Sequence, residues 1–289
     1  MRRFIAAWAL AALAAVPAHA AGPIPIVAAE NFYGGVAAAV GGAHVSVSSI
    51  LSNPDEDPHL FEASPSVARN LAAAKIVIYN GADYDPWVAK LLSANSEPGR
   101  ATIVVADLIG KKPGDNPHLW YDPPTMPAVA AALAAKLDAL DPANKSDYDA
   151  NLATLGASLK QIADKAAAIK AKYAGTAVTA TEPVFGYMAA ALGLTMRNER
   201  FQLSVMNDTE PSARDTAAME NDLKNGKVRV FFYNSQVTDP LTDRLLKFAN
   251  AANIPVVGVS ETQPAGKSFA EWMLDQLDAT QKALAAPSS

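Results

Sequence analysis

Two of the four histidines in the sequence, His59 and His118, follow a proline in nearly the same pentapeptide. The first pentapeptide reads Asp-Pro-His-Leu-Phe and the second reads Asn-Pro-His-Leu-Trp. Proline stiffens the backbone before each imidazole, and the apolar pair that follows is suited to anchoring the loop on a core. A neutral imidazole that is held in place is a good ligand for a transition-metal ion. The repeated motif therefore predicts a metal site to which both histidines contribute.

Two carboxylates occupy comparable places, because Glu182 and Glu261 each follow a predicted strand. A single glutamate there is more often a helix cap or a solvated side chain. In open α/β sheets, however, ligands bind outside the carboxyl ends of the strands. Two imidazoles in the first half and two carboxylates in the second half, all just past such ends, favour one shared site. His44 begins a predicted strand without such a setting, and we expect it at the surface.

The elements that must position these residues alternate between strands and helices. This alternation predicts an α/β fold of two lobes, each a small, mostly parallel sheet flanked by helices. The predicted strands are Ile24–Ala28, Val45–Leu51, Lys75–Asn80, Thr102–Leu108, Thr176–Thr181, Val228–Asn234 and Ile254–Ser260. The predicted helices outside the linker are Asn31–Val40, Ser64–Ala74, Pro211–Asn225, Asp239–Ala252 and Ser268–Leu284.

One predicted helix, spanning residues 144–173, differs from the others in length. Its apolar residues recur at steps of three, four and seven, which is typical of one continuous helical stripe. At 1.5 Å per residue such a helix runs about 43 Å, which suits a rigid strut. We therefore expect an N-terminal α/β lobe over residues 21–143, the linking helix over 144–173 and a C-terminal α/β lobe over 174–289.

The first twenty residues have the layout of a secretory signal peptide. Arg2 and Arg3 precede the apolar run Phe4–Val16, and a small-x-small pattern ends at Ala20. We expect cleavage after Ala20 and a protein exported to the periplasm. The sequence has no cysteine, so we expect neither disulfides nor a lipid anchor and a soluble product. The formal net charge of −5 argues against nucleic acid as a partner.

At the level of motifs the chain resembles the substrate-binding proteins of zinc and manganese ABC importers. The resemblance covers essentially all of the sequence after residue 20. It rests on Asp57-Pro58-His59 with Glu62, Ile78-Tyr79-Asn80-Gly81, Pro117-His118-Leu119-Trp120, Thr181-Glu182-Pro183-Val184-Phe185-Gly186-Tyr187 and Val257–Glu261. The resemblance implies a monomer, not an enzyme, whose two lobes are joined by a long backbone helix. It also implies one divalent metal ion bound between the lobes and delivered to a membrane permease.

The resemblance further implies four metal ligands, which here are His59, His118, Glu182 and Glu261. Zinc members of the family usually have a histidine where Glu182 stands and often carry a histidine-rich loop, and this chain has neither. Manganese members have a glutamate there but usually an aspartate as the fourth ligand. A shift of one or two residues could place Ser260 instead of Glu261 at that position.

The donor set of two imidazoles and two carboxylates favours Mn(II) slightly over Zn(II), with Fe(II) as a further candidate, because oxygen ligands suit the harder ions. One alternative function is a secreted zinc-dependent hydrolase, which needs an open metal position and a general base. The sequence contains neither a His-Glu-x-x-His nor a Gly-x-Ser-x-Gly motif. Another alternative is a metal-binding adhesin.

Overall fold

A computed structural model describes residues 22–55, 58–237 and 239–287 of the chain, without the side chain of His59. The predicted signal peptide lies outside the described residues. Within the described ranges, none of the helices combines the length and the apolar character needed to cross a bilayer.

The described part of the chain forms eight strands and eleven α-helices. The strands are β1 (Ile24–Glu30), β2 (Val45–Leu51), β3 (Ile76–Tyr79), β4 (Ala101–Val104), β5 (Ala177–Ala180), β6 (Thr195–Arg197), β7 (Phe231–Asn234) and β8 (Val256–Val259). The helices are α1 (Asn31–Gly41), α2 (Pro65–Ala73), α3 (Pro86–Ala94), α4 (Val105–Leu108), α5 (Thr125–Leu140), α6 (Lys145–Tyr173), α7 (Gly186–Ala191), α8 (Glu199–Met206), α9 (Ala213–Lys224), α10 (Pro240–Ala251) and α11 (Phe269–Ala285).

The strands form two four-stranded sheets of the same topology, with orders β2-β1-β3-β4 and β6-β5-β7-β8. All pairings in both sheets are parallel. We call the first sheet with its flanking helices the first lobe and the second sheet with its flanking helices the second lobe. The predicted fold class is confirmed. Because all strands of a sheet point the same way, their carboxyl ends share one edge.

The central strands are nearly continuous apolar runs because helices cover both faces of each sheet. Ile26 to Ala29 of β1 and Ile76 to Ile78 of β3 are all buried. Ile26 and Ala28 of β1 belong to the largest apolar cluster, while Val27 and Ala29 pack with residues of α2 and α3 in a smaller cluster. A continuous run in the sequence therefore corresponds to a strand buried on two sides.

Helix α6 is the predicted strut that joins the lobes. Its buried residues include Tyr148, Leu159, Ile162 and Ile169, which belong to the predicted apolar stripe. The helix packs against α1 and α5 of the first lobe and against α7 and α11 on the side of the second. A single helix thus contacts both lobes along its length.

The two lobes share one apolar core. The largest cluster of buried residues runs without a break from β1 and α1 through α6 to β5, β7, β8 and α11. Phe32 of α1 lies 6.0 Å from Trp272 of α11, ring centre to ring centre. Tyr121, which follows the His118 loop, packs edge-on to Phe185 of the second lobe with the ring centres 5.4 Å apart.

The predicted strand Thr102–Leu108 was too long. Strand β4 ends at Val104, and the chain turns directly into the short helix α4. The turn is held by the amide of Ala106, which donates to the carbonyl of Asn80 at the end of β3. The short run Thr102–Leu108, which is apolar except for Thr102 and Asp107, has no periodicity that distinguishes a strand from a helical turn.

Candidate metal centre

His118 of the first lobe is completely buried and belongs to a short loop that its neighbours hold in place. The side-chain amide of Asn80, at the end of β3, donates to the carbonyl of Pro117 at 2.8 Å. The hydroxyl of Tyr33 donates to the side-chain oxygen of Asn80, Oδ1, at 2.7 Å. The imidazole packs edge-on to Trp120, ring centres 5.4 Å apart. The Asn-Pro-His-Leu-Trp motif is therefore tied to the carboxyl end of the sheet.

Asn116 determines the tautomer of the neutral His118 ring. Its Nδ2 donates to the carbonyl of Pro183 at 2.7 Å, so its Oδ1 is the acceptor. That oxygen lies 3.1 Å from the amide nitrogen of His118 and 2.6 Å from Nδ1. In the neutral ring the proton therefore resides on Nδ1 and the lone pair on Nε2. A side chain at Gly186 would approach Asn116 Nδ2 to 3.0 Å, so the contact between the lobes requires a small residue there.

The other ring nitrogen of His118, Nε2, faces the second lobe. It is buried and makes no hydrogen bond within the part of the chain that the structure describes. It lies 3.4 Å from Oε2 of Glu261 in the second lobe. A buried nitrogen with a free lone pair and a carboxylate beside it form an arrangement suited to a cation.

Glu182 and Glu261 of the second lobe are both buried, being 4% and 1% exposed. Asn234, the last residue of β7, links them through one amide. Its Nδ2 donates to Oε1 of Glu261 at 2.6 Å and lies 3.5 Å from Oε1 of Glu182. The structure thus brings His118, Glu182 and Glu261 to one place between the lobes, at the carboxyl ends of the strands.

The sequence left Ser260 as an alternative to Glu261, and the backbone at this point favours the glutamate. The hydroxyl of Ser260 donates to the carbonyl of Thr262, and the carbonyl of Ser260 accepts the hydroxyl of Tyr121 at 2.9 Å. The side-chain oxygen of Gln236 accepts the amides of Glu261 and Thr262. These bonds direct the carboxylate of Glu261, rather than the serine hydroxyl, towards His118.

The remaining histidines lie elsewhere or are only partly described. His59 belongs to the 3-10 turn Pro58–Leu60, but its side chain lies outside the described part of the structure. Among the described side chains, no group of three or more His, Cys, Asp or Glu residues is arranged so that it could hold a metal ion. His44 lies away from the site and pairs with Asp147 at the start of α6, 2.8 Å apart.

Four further residues contact the candidate ligands, and the sequence analysis identified none of them as part of the site. They are Tyr84, Asn116, Asn234 and Gln236. Asn234 ends the strand run Val228–Asn234 and could have been found by the rule that singled out Glu182. Tyr84 follows β3 in a loop, and its hydroxyl donates to Oε2 of Glu261 at 3.0 Å. Burial raises the pKa of the Tyr84 phenol well above its usual range, and the charges of Glu261 and Glu30 raise it further.

A second pair of buried carboxyl groups lies behind the site in the first lobe. Glu30 ends β1 and Asp85 begins the turn into α3, and both are buried. Burial raises the pKa of Glu30 well above its usual range, and the adjacent Asp85 raises it further. Burial also raises the pKa of Asp85 to about 6, although the backbone amides of Gly81 and Asn80 donate to its carboxylate. Glu30 therefore carries the proton of the pair.

Comparison with solved structures shows that this fold is known. The periplasmic zinc binding protein TroA from Treponema pallidum superimposes with a TM-score of 0.74, covering 92% of this chain and 100% of that one, at 18% sequence identity. A crystal structure described as ZnuA gives a TM-score of 0.70 at 22% identity, covering 91% of this chain and 99% of the other. At these identities the likeness concerns the fold.

Sequence comparison gives relatives over most of the chain. The manganese ABC transporter substrate-binding lipoprotein PsaA of Streptococcus pneumoniae is 23% identical over 286 residues, covering 91% of this chain and 89% of PsaA. The high-affinity zinc uptake system protein ZnuA of Bacillus subtilis is 26% identical over 254 residues, covering 79% and 77%. The family model described as "Zinc-uptake complex component A periplasmic" matches residues 26–283. The chain therefore belongs to the ZnuA family of periplasmic components of metal-uptake complexes.

Proposed function

We propose that this protein captures one divalent transition-metal ion between its lobes in the periplasm and delivers it to the membrane permease of an ABC importer. The observation that carries the proposal is the buried Nε2 of His118, which makes no hydrogen bond among the described residues and faces the carboxylate of Glu261 across the lobe boundary. The proposed ligands are His59, His118, Glu182 and Glu261. The names of the relatives, which include manganese and zinc transporters, support the class of cargo.

Mn(II) is the proposed cargo ahead of Zn(II), with Fe(II) as a third candidate. Two carboxylates among four ligands make the site harder than a site with three imidazoles, and harder ligands favour Mn(II) over Zn(II). The acidic chain is proposed to act as a monomer, without nucleic acid as a partner. Binding and release, rather than catalysis, is the proposed activity, in keeping with the transport role of the family.

Removing either histidine tests the ligand set. We expect wild-type protein, purified without metal, to bind one equivalent of Mn(II) or Zn(II) in a calorimetric titration. His118→Ala and His59→Ala should each lose tight binding, because a four-ligand site cannot hold the ion with one imidazole missing. His44→Ala is the matched control, since His44 pairs with Asp147 away from the site. Wild-type affinity in either of the first two variants would remove that residue from the site.

A further inference from the structure

Tyr84 belongs to the first lobe, but its hydroxyl reaches the carboxylate of Glu261 in the second. The hydroxyl donates to Oε2 at 3.0 Å, and this is the oxygen that lies 3.4 Å from Nε2 of His118. The other oxygen, Oε1, accepts Nδ2 of Asn234 at 2.6 Å. Each oxygen of Glu261 is therefore held by a donor, one from each lobe.

The loop that presents this tyrosine is held in an unfavourable backbone conformation. Ala82 and Asp83, just before it, have φ angles of 51° and 65°, in the left-handed region that side chains other than glycine disfavour. The carboxylate of Asp85 stabilises the turn by accepting the amides of Asn80 at 2.6 Å and Gly81 at 2.8 Å. The surrounding hydrogen bonds thus maintain a strained loop, which fixes where the phenol lies.

The ring of Tyr84 is also constrained by its neighbours. It packs edge-on to Trp120, with ring centres 5.0 Å apart, and edge-on to His118, with ring centres 6.2 Å apart. These contacts leave little freedom for the hydroxyl to turn away from Glu261. The hydrogen bond is consequently a fixed part of the site, rather than a contact of a mobile side chain.

We propose that Tyr84 determines metal specificity, because its hydroxyl and the Asn234 amide together fix the orientation of the Glu261 carboxylate, so that it offers the ion one oxygen instead of chelating with two. This inference rests on the proposed function, in which Glu261 is a ligand. Zn(II) is satisfied by four ligands in a tetrahedral arrangement, whereas Mn(II) favours a larger set of oxygen ligands. Restricting one carboxylate to one oxygen therefore weakens Mn(II) binding more than Zn(II) binding. Tyr84 moderates the manganese preference that the two carboxylates confer.

Substitution of the tyrosine tests this role. Tyr84→Phe removes the hydroxyl and keeps the ring that packs on Trp120. We expect the ratio of Zn(II) to Mn(II) affinity, measured by chelator competition on metal-free protein, to fall by about tenfold or more. Tyr84→Leu also lacks the hydroxyl and is the second variant, so that the conclusion does not depend on one protein folding well. Both variants should shift the ratio in the same direction.

Tyr121→Phe is the matched control. Tyr121 is also a buried tyrosine of the first lobe, and its hydroxyl crosses to the carbonyl of Ser260, one residue from Glu261. In this hydrogen bond the Tyr121 hydroxyl contacts a backbone carbonyl and no carboxylate of the site. Loss of this hydroxyl removes one hydrogen bond between the lobes without releasing an oxygen of Glu261. We expect the ratio of the two affinities to stay at its wild-type value.

A spectroscopic measurement separates a change in coordination from a loss of packing. With Co(II) bound, visible absorption is strong for four-coordinate ions and weak for six-coordinate ones, so Tyr84→Phe should show weaker bands than wild type and Tyr121→Phe should not. An unchanged ratio and spectrum, or an equal loss of both affinities, would overturn the role of Tyr84 and leave the proposed function standing. Wild-type protein that binds neither Mn(II) nor Zn(II) would refute the proposed function itself.

Discussion

Neutral hydrogen-bond donors help to position the carboxylates of the candidate site. Asn234 holds Glu261 and approaches Glu182, while Tyr84 holds Glu261 from the opposite lobe. Both glutamates are buried and share the amide of Asn234, so two carboxylates lie close together at a low dielectric constant and repel each other when both are charged. A bound divalent ion would relieve this repulsion, so the binding of the ion and the stability of the site are coupled.

Glu182 is the residue on which the proposed manganese preference depends. Glu182→His would create a set of three imidazoles and one carboxylate, replacing a hard oxygen ligand with a softer nitrogen ligand. We expect the ratio of Zn(II) to Mn(II) affinity to rise by about tenfold, the opposite of the shift expected for Tyr84→Phe. Chelator competition with both metals measures it.

Glu182→Gln is the control for this substitution, since it removes the charge but keeps an oxygen of similar position. It should weaken both metals without reversing their order. If Glu182 only caps the turn that begins at Pro183, its replacement by histidine would lower stability slightly. Both metal affinities would then stay at their wild-type values, which would remove Glu182 from the ligand set.

At the scale of elements, the side chains of the candidate site and its neighbours lie at the carboxyl ends of strands. Glu30, Asn80 and Asn234 are at or next to the last residues of β1, β3 and β7, while Glu182 and Glu261 lie two residues past β5 and β8. The strand order of each sheet reverses beside β1 and β5, and helices leave the sheet on opposite sides there, which opens a crevice at the carboxyl edge. The contacts of His118 and Tyr84 with Glu261 show that the carboxyl edges of the two sheets face each other.

The buried Glu30–Asp85 pair makes the stability of the first lobe depend on pH. In the unfolded chain, glutamates have a pKa of about 4.3. The folded protein keeps the proton on Glu30 to a higher pH, because the pKa of this buried group is raised. Stability is therefore lost as pH rises from that value through the raised pKa of the folded state. We expect Glu30→Gln, which needs no proton, to lose less free energy of unfolding than wild type between about pH 4.5 and pH 8.

Urea unfolding of metal-free protein at several pH values measures this difference. Glu97→Gln, a substitution at an exposed carboxylate, should leave the pH dependence of the wild type unchanged. If Glu30→Gln and wild type had parallel profiles, Glu30 would not hold its proton in the folded state.

The sequence predicted the elements with strong periodicity best. Strand β2 and the stripe of α6 were predicted correctly, because alternation and steps of three and four residues leave a clear pattern. Helices α3, α5 and α8 and the short strand β6 were not identified. Alanine-rich α5 has a weak contrast between its faces, and β6 is a three-residue strand whose position depends on its pairing with β5.

The residues of the candidate site also separate into those that the sequence predicted and those that it could not predict. His118, Glu182 and Glu261 were predicted from their positions after strands, and their convergence is now visible, although their role as ligands stays a prediction. Tyr84 could not have been predicted, because its approach to Glu261 depends on how the two lobes face each other. A contact between residues that are 177 positions apart leaves no local pattern in a single sequence.

At the scale of the whole molecule, the lobes are joined by more than the linking helix. Asn31 of α1 forms two hydrogen bonds with the backbone of Gln263, at 2.8 and 3.1 Å. Asn116 binds the carbonyl of Pro183, and the hydroxyl of Tyr187 binds the carbonyl of Asn116 at 2.8 Å. Together with the shared apolar core, these bonds oppose the wide opening of a hinge.

We expect little change in overall dimensions when the ion binds. Small-angle X-ray scattering of the metal-free and metal-loaded protein should give the same radius of gyration within error, because helix α6 and the shared core hold the lobes at a fixed separation. Changes on binding should instead be confined to loops such as the one that contains His59. A clear decrease in radius on loading would show that the lobes rotate as separate bodies.

The packing of Trp120 against His118, with the ring centres 5.4 Å apart, places an intrinsic fluorophore beside the proposed cargo. Tryptophan emission responds to charge and is quenched by paramagnetic ions at short range, so occupancy of the site should change the fluorescence of the unmodified protein. Trp87 and Trp272 also emit fluorescence. The Trp120→Phe variant measures this contribution, because only the signal of Trp120 is lost in it. The transfer of the ion to a permease in vesicles could then be followed in real time, from the optical signal of the donor protein alone.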